Sequence, residues 1–421
     1  MASPPQRLDN IPMTRKLRMN GVSLMTTDQS DILWDDRDQF EVDAAAENED
    51  DIHVAATDFE RLLIAPSDWT VSTIYDLIGK QLQLDPAYQR RNVWQTKAKS
   101  QFIESLLLGI PIPQILLASK AGQKNAFLVL DGKQRLTTIK EFLDGQFSDG
   151  RTFKLRGLRI LSDLNGLSWK DLLNNEDWAD RLKNEPLRTT VLRGWENESV
   201  LYEIFYRLNS GSVKLSPMEL RMSLLPGEFL KYIISWTETI GPIHHLLRKR
   251  QPDARMSDVE LAIRFLAFRD QQTEYNGDLK MFLDEFCRNK NADFSADAQQ
   301  YQVYNAILSE MNDAINAGLQ EFGENTFCRK FSDGQYETRF NRAVFDVLVG
   351  ALSYRNIRDW VSANQGAMKQ LYETVCTNRA EFVKSVETTT KSRESTQFRF
   401  QIWYEAVELM TGHAVPAPKI S

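Results

Sequence analysis

The sequence predicts an α+β protein in which a small mixed α/β domain is followed by an all-helical domain. Between about residues 70 and 195, short apolar runs of strand length alternate with segments of helical periodicity. From Glu198 onwards, apolar residues recur at helical spacing in four stripes, of which the first holds Leu201, Ile204, Phe205 and Leu208. The length of 421 residues favours more than one domain, because a single hydrophobic core rarely grows that large.

The first expected elements of the α/β domain are two helices. Ser72 is the expected cap of a helix that carries Ile74 and Leu77 on one face. Thr96 is the expected cap of a second helix, and Gly109 supplies its end.

Strands and further helices follow. Residues 110–113, Ile-Pro-Ile-Pro, are predicted to be extended, because a residue before proline avoids the helical conformation. A helix is predicted from Gln134 to about Phe142, with Gly145 at its end. The predicted strands lie at residues 114–118, 126–130, 152–155 and 187–192, and a short helix is predicted near residues 169–173.

These shifts in pattern give the expected domain boundaries. Residues 1–68 form an acidic, largely flexible extension, 69–195 the α/β domain, 196–412 the helical domain, and 413–421 a loose Ala/Pro-rich tail.

The net charge of −7 is unevenly distributed along the chain. From Asp28 to Glu60 there are 13 acidic residues and one basic residue, Arg37. Because residues 1–27 carry a net charge of +3, residues 61–421 carry a net charge of only +2. Two interpretations of the acidic run stay open: a solubilising extension, or a segment that folds over a basic site and competes with nucleic acid. The acidity of the whole chain therefore does not exclude a phosphate-binding function.

Several classes of protein are disfavoured by composition. No run approaches the roughly 18 apolar residues of a membrane-spanning helix, and no signal peptide is recognisable. The three cysteines, Cys287, Cys328 and Cys376, are too few and too scattered for a disulfide framework or a zinc site. The expectation is a soluble, cytoplasmic protein.

The densest signal for chemistry is the segment at residues 127–139, Phe-Leu-Val-Leu-Asp-Gly-Lys-Gln-Arg-Leu-Thr-Thr-Ile. An apolar strand runs into Asp131 and Gly132, and a helix begins almost at once. The glycine allows a sharp turn, and the first amides of the helix favour an anion. Arg135 can hold a phosphate with two hydrogen bonds, and Asp131 can hold a metal ion or a nucleophilic water. The alternative is a simple Asp-Gly turn in which Arg135 only pairs with Asp131.

Other polar residues of the same segment extend this hypothesis. Gln134 can orient a water molecule or contact a base edge, and Thr137 and Thr138 add two hydroxyl groups. Glu104, on the preceding helix, is a further candidate polar group, although a solvated helix face explains it as well.

A second cluster mixes aromatic and basic residues. Tyr88, Arg90, Arg91 and Trp94 fall within seven residues, a combination that suits phosphate contacts and base stacking. The alternative places Trp94 in the core and leaves the arginines in solvent.

A third cluster lies at residues 206–221. Ser216, Pro217 and Glu219 form the pattern of a capped helix start, which needs no functional explanation. The cap does not explain Asn209 or Arg221.

In this order and spacing, the clusters resemble the N-terminal domain family of GmrSD-type restriction endonucleases, which has a ParB/sulfiredoxin-like fold. The resemblance spans about residues 70–225. Its segments are the Tyr-Gln-Arg…Val-Trp motif at 88–94, the helix and turn at 103–113, the Asp-Gly-x-Gln-Arg-Leu-Thr-Thr motif at 131–138 and the Arg-Leu-Asn-x-Gly motif at 207–211. Lys133 departs from the family pattern, which usually has glutamine there.

The resemblance implies a nucleoside triphosphatase whose activity is coupled to sensing modified DNA in anti-phage defence, with Mg²⁺ as the expected companion of the nucleotide. The implied catalytic or phosphate-handling residues are Asp131, Gln134 and Arg135. The implied nucleotide-binding residues are Gln89, Arg90, Gly132, Lys133, Thr137 and Thr138. The residues expected to face DNA are Tyr88, Arg91 and Asn209.

Two familiar modules are absent from the sequence. There is no Gly-x-x-x-x-Gly-Lys-Ser/Thr loop, so a P-loop nucleotide site is excluded. None of the four histidines lies in an HNH-type nuclease setting, and the adjacent His244 and His245 cannot share one helix face as a metal pair. DNA cleavage therefore requires a partner nuclease or activity of the ParB-like domain itself. The rival hypothesis is a non-catalytic nucleotide- or DNA-binding subunit that regulates a partner nuclease; a homodimer is also left open.

Overall fold

A computed structural model describes residues 54–82, 84, 94–120, 126–208, 216–387 and 390–421, without the side chains of residues 205, 206 and 208. A four-stranded sheet near the start of this part precedes a long helical region, and 57% of the described residues are helical. The predicted α+β class is confirmed.

The sheet is mixed, with strand order β1-β4-β2-β3. The strands are β1 (Leu63–Thr70), β2 (Ile115–Ser119), β3 (Phe127–Asp131) and β4 (Pro186–Arg193). Strand β4 lies between β1 and β2, antiparallel to the former and parallel to the latter, while β2 and β3 are antiparallel. The register of β2 and β3 shifts between Leu116 and Leu117, next to the end of β3.

The two faces of the sheet pack into different cores. Ile115 and Leu117 lie in a core with Leu136 and helices of the first half. Leu116 and Leu192 lie in the core of the helical region. Successive side chains of a strand point to opposite faces of the sheet, so strand β2 contributes side chains to both cores. The domain boundary near residue 195 stays a prediction.

Five helices accompany the sheet: α1 (Val71–Leu77), α2 (Thr96–Leu107), α3 (Lys133–Asp144), α4 (Trp169–Leu172) and α5 (Glu176–Asn184). The expected cap Ser72 is wrong: the Thr70 hydroxyl accepts the Thr73 N–H at 3.2 Å, so the cap and the start of α1 lie two residues earlier. Thr96 is likewise the first residue of α2 rather than its cap. Helix α3 ends at the left-handed Gly145, as predicted.

Some short elements differ from expectation. The predicted strand at residues 152–155 forms only isolated bridges, from Thr152 to Gln146 and from Lys154 to Ser168. Strand β1 and helix α5 are not among the predicted elements. Exposed positions interrupt the apolar pattern of β1, since among the described strands it lies at the edge of the sheet and pairs with β4 alone.

The helical region contains twelve helices among the described residues. They are α6 (Glu198–Leu208), α7 (Pro217–Leu224), α8 (Glu228–Thr237), α9 (Pro242–Leu246), α10 (Ser257–Arg269), α11 (Leu279–Ala296), α12 (Gln300–Phe322), α13 (Arg342–Leu352), α14 (Arg355–Ala363), α15 (Ala367–Asn378), α16 (Ala380–Glu387) and α17 (Arg393–Thr411).

A β-hairpin interrupts these helices. Strands β5 (Arg329–Ser332) and β6 (Gln335–Phe340) are antiparallel and meet at Asp333 and Gly334, which have φ of 51° and 75°. An Asp-Gly pair with two positive φ values is the preferred turn of a two-residue hairpin, so the expectation of helices alone is wrong here.

The end of the chain is attached to the helical region. Tyr275 N–H donates to Lys419 O at 2.9 Å, and Ser421 N–H donates to Tyr275 O at 3.1 Å. Val415 is also buried. The expectation of a loose tail is therefore wrong for these residues. Within the described part of the chain, no helix has the length and apolar character needed to cross a membrane.

Candidate functional site

The candidate site begins where β3 changes directly into α3. Gly132 is the N-cap of α3 and has φ of 98°. A Cβ atom at this position would lie 3.1 Å from Ile115 Cγ1, so the backbone conformation and the close packing both require glycine. Because glycine has no side chain, it cannot cap the amides of the first helical turn. The predicted strand–glycine–helix geometry is confirmed.

Substitution of Gly132 tests this geometry. We expect Gly132→Ala to lower the free energy of unfolding by about 1–2 kcal/mol from the positive φ, plus the cost of the Ile115 contact. Gly145→Ala is the matched control, since Gly145 caps the other end of α3 at φ of 76° and a Cβ atom there would have no neighbouring atom within 4 Å. Urea unfolding of both variants measures the difference. Equal losses would show that the Ile115 contact carries no cost.

Arg135 is buried and forms an internal clamp. Its Nη1 donates to Pro113 O and, at 3.1 Å, to Gln114 O, while its Nη2 donates to Asp131 Oδ2 at 2.6 Å. One guanidinium therefore joins the turn before β2 to the end of β3. The pairing with Asp131, which the sequence left open, is confirmed.

Asp131 remains partly accessible beside this clamp, with 39% of its side chain exposed. One accessible carboxylate fits a Mg²⁺ ion that arrives with substrate phosphates, because such ions commonly take one or two protein carboxylates. The described residues contain no group of three or more His, Cys, Asp or Glu side chains that would hold a metal alone.

Gln134 connects the motif to the segment before α2. Its side-chain Oε1 accepts the Trp94 N–H at 3.2 Å, and its carbonyl oxygen accepts the Thr138 hydroxyl at 2.7 Å. Within the described part of the chain, the buried Thr137 Oγ1 has no hydrogen-bond partner. Near the start of α3, the motif thus holds one hydroxyl to which no described residue is bonded.

Five of the expected site residues lie outside the described residues: Tyr88, Gln89, Arg90, Arg91 and Asn209. The described end of the second cluster is Trp94, whose ring packs edge-on against Phe102 at 5.5 Å. Trp94 borders the core of the first half, which supports its core interpretation.

The described residues of the third cluster, 216–221, have structural roles. Ser216 and Glu219 form the expected capping box, with Ser216 N–H donating to Glu219 Oε2 at 2.6 Å. Arg221 is fully buried, and its Nε donates to Asp284 Oδ1 at 2.6 Å. Arg221 thus joins α7 to α11 inside the helical region.

Glu104 is buried rather than on a solvated helix face. Its carboxylate accepts the backbone N–H groups of Arg159, Ile160 and Leu161 at 2.7–3.1 Å. Burial acts to raise the pKa of this carboxyl, but the three backbone hydrogen bonds outweigh burial and lower the pKa below 4.5. Glu104 is an anchor for the 159–161 loop, and the alternative of an exposed helix face is wrong.

We expect Glu104→Ala to lower the free energy of unfolding by about 2 kcal/mol at pH 7, because three donors lose a charged acceptor. The lowered pKa makes this contribution fully present above pH 4.5 and lost as the pH falls through the folded-state pKa. Thermal unfolding at several pH values measures the effect, with Glu104→Gln as the isosteric comparison. A stability difference that stays constant down to pH 3 would contradict the ionised-anchor role.

A buried ion pair beneath the motif was not expected from the sequence. Lys99 Nζ lies 2.5 Å from Glu141 Oε2, which joins α2 to α3. Glu141 also accepts the Ser148 N–H at 3.2 Å. One feature of the sequence could have indicated this pair: helical spacing places Lys99 and Glu141 each on an otherwise apolar helix face.

His244 is also structural. Its Nδ1 accepts the Gly241 N–H at 3.1 Å, and its Nε2 lies 3.0 Å from both Thr237 O and Asp258 Oδ2. These contacts fix the ring inside the helical region and leave it no role in a metal pair with His245.

In comparison with known proteins, residues 72–226 match the family model described as the N-terminal domain of GmrSD restriction endonucleases. No curated protein and no solved structure matches the chain. The matched region begins within α1, includes the Asp131–Arg135 motif and ends just after α7.

Proposed function

We propose that this chain, whose residues 72–226 match the N-terminal domain family of GmrSD restriction endonucleases, is a restriction-system component. The proposed activity is binding and hydrolysis of a nucleoside triphosphate at Asp131–Arg135. In this proposal, nucleotide turnover is coupled to recognition of foreign, modified DNA. Cleavage of the DNA is assigned to a partner nuclease or to the ParB-like domain itself.

The observation that carries the proposal is the start of α3. The helix begins at a glycine N-cap directly after a strand, so its first amides and its dipole are directed at the turn. Such a terminus stabilises the oxygens of a phosphate group. Lys133, the first residue of the helix, adds a positive charge at the same point. Its ammonium group replaces the amide that the family usually has.

The acidic and basic groups of the motif have complementary roles in this proposal. Arg135 is a positioning residue, because its hydrogen bonds run to Asp131 and to two carbonyl oxygens. It holds Asp131 at the mouth of the turn, where the carboxylate orients the attacking water. If Mg²⁺ binds, Asp131 is the residue that would hold it, and the ion would supply positive charge to neutralise the phosphates.

Phosphoryl transfer needs mainly positioning and charge stabilisation, so this small set of groups is chemically sufficient. Gln134 supports the arrangement through its bond to Trp94 N–H, which fixes the end of the preceding segment at the motif. From the family resemblance, we assign Gln89 and Arg90 to the nucleotide. Tyr88, Arg91 and Asn209 are assigned to DNA on the same basis.

One observation favours a second function, that of a non-catalytic nucleotide- or DNA-binding subunit. The guanidinium of Arg135 is already bonded to Pro113, Gln114 and Asp131, which leaves it poorly placed to follow charge as it develops on a phosphate. This alternative predicts saturable nucleotide binding without turnover.

Phosphate release from each nucleoside triphosphate, with Mg²⁺ and full-length protein, distinguishes the two functions. Hydrolysis of at least one nucleotide supports the enzyme. Binding detected by thermal shift without phosphate release supports the regulatory subunit, because a ligand that binds only the folded state raises its stability. If the protein neither binds nor hydrolyses any nucleotide, both proposed functions are contradicted.

A further inference from the structure

A second site of interest lies in the helical region, far along the chain from the motif. Three arginines, Arg264, Arg329 and Arg399, are almost completely buried there. Arg264 pairs with Asp346 through two hydrogen bonds of 2.6 and 2.7 Å. Arg399 Nη2 reaches the same carboxylate at 3.4 Å.

Arg329 is a further buried cation of the helical region. Its Nη1 donates to the carbonyl oxygens of Phe327 and Cys328 at 3.3 Å, and it forms no ion pair with any described residue. Tyr372 connects the backbone of Arg329 to α17, because the Tyr372 hydroxyl donates to Arg329 O and its ring lies 5.8 Å from that of Trp403. Trp403 is one helical turn after Arg399 on α17.

The described charges in this core do not balance. Arg264 and Arg399 share one carboxylate, that of Asp346, which leaves an excess of one positive charge. Burial lowers the pKa of Arg329 and of Arg399, the expected effect on a cation away from water. Excess charge in a dry interior is costly unless a counter-charge is present.

Unused hydrogen-bond donors occur around the start of α17. Among the described residues, eight buried side-chain nitrogen or oxygen atoms lack a hydrogen-bond partner. Three of them lie within the stretch from Thr390 to Trp403: Thr390 Oγ1, Arg399 Nε and Trp403 Nε1. Each can donate a hydrogen bond, and native proteins seldom leave such groups empty without a water or ion.

We propose that this core binds a small inorganic anion of the size of chloride. The anion supplies the missing negative charge and accepts hydrogen bonds from Arg399, Thr390 and Trp403. A water molecule would satisfy the donors but not the charge. A nucleotide is too large, because the side chains named here are all almost completely buried.

The segment that leads into α17 connects the anion to the fold. Thr390 O accepts a hydrogen bond from Arg399 Nη1, and Lys391 O accepts one from the Tyr275 hydroxyl. An anion between Thr390 and Arg399 therefore fixes the start of α17 against α10 and α13. Its loss is expected to weaken the helical region without touching the motif.

Thermal unfolding of the full-length protein in sodium chloride and in sodium gluconate of equal ionic strength tests the proposal. Once the site is half filled, the unfolding temperature is expected to rise by about 2 °C for each tenfold increase in chloride. The double variant Thr390→Val, Trp403→Phe removes two donors and should lose most of this dependence. Trp236→Phe, elsewhere in the helical region, is the matched control and should keep it.

The proposal fails if wild-type protein unfolds at the same temperature in both salts, or if the double variant keeps the full chloride dependence. Crystals of the wild-type protein soaked in bromide give an independent measurement, which holds even where the double variant does not fold. An anomalous peak in contact with Arg399 and Trp403 is expected. Its absence at high bromide would also overturn the proposal.

Discussion

Replacing Asp346 by asparagine is expected to lower the free energy of unfolding by about 3–5 kcal/mol, because it leaves buried guanidinium groups without their carboxylate. Asp346 is the acceptor for Arg264 and Arg399, and both contacts are buried. The asparagine keeps the volume of the side chain, so the loss reports charge and hydrogen bonding rather than a cavity. Urea unfolding followed by far-UV circular dichroism measures it.

Asp359→Asn is the matched control for this effect. Asp359 pairs with Arg355 at 3.7 Å on the exposed surface of α14. Surface ion pairs contribute little, so we expect a change below about 0.5 kcal/mol. Comparable losses in the two variants would mean that the buried network does not hold the helical region together.

Replacing Arg135 by alanine is expected to affect both turnover and stability. Loss of the clamp frees Asp131 and leaves two carbonyl oxygens without a donor, at a cost of about 3 kcal/mol. Phosphate release is expected to fall by about 100-fold, because Asp131 is no longer held in place and a misplacement of about 1 Å can cost that much. Initial rates at a temperature where the variant is folded measure the second effect.

Arg135→Lys separates the two consequences. A lysine keeps the positive charge, but its single ammonium group cannot reproduce the planar guanidinium that donates to Asp131 and to both carbonyl oxygens. We therefore expect a smaller loss of stability and a similar loss of turnover. Arg188→Ala is the control, since Arg188 is exposed on β4 and forms no ion pair with a described residue. Turnover by Arg135→Lys equal to wild type would show that the clamp geometry is not needed.

The strand–glycine–helix turn could be predicted because its signals are local. An apolar strand, Asp131, Gly132 and a helical pattern follow one another directly in the chain. The Asp333–Gly334 hairpin carried a similar local signal, but the strong helical periodicity on both sides concealed it. Boundaries at Thr70 and Thr96 were off by one or two residues, because neighbouring threonines and serines have similar capping tendencies.

The remaining contacts of the site could not be predicted, because they join distant parts of the chain. Arg135 reaches carbonyl oxygens 21 and 22 residues earlier, and Glu104 binds amides more than 50 residues later. Almost every residue has a backbone carbonyl and amide, so the residue types do not show which of these groups will be the hydrogen-bond partner. The same limit applies to Arg264 and Asp346, which are 82 residues apart and resemble ordinary helix-surface charges when considered alone.

The most direct test of the proposed function is the rate of phosphate release from ATP, GTP, CTP and UTP by the full-length protein with Mg²⁺, compared with the Asp131→Asn variant. The substituted amide keeps the shape of the side chain but cannot orient water or a metal ion as a carboxylate does. We predict measurable release from at least one nucleotide by the wild-type protein and a rate about 100-fold lower for the variant. Equal rates for the two proteins, or no release from any nucleotide, would contradict hydrolysis at Asp131–Arg135.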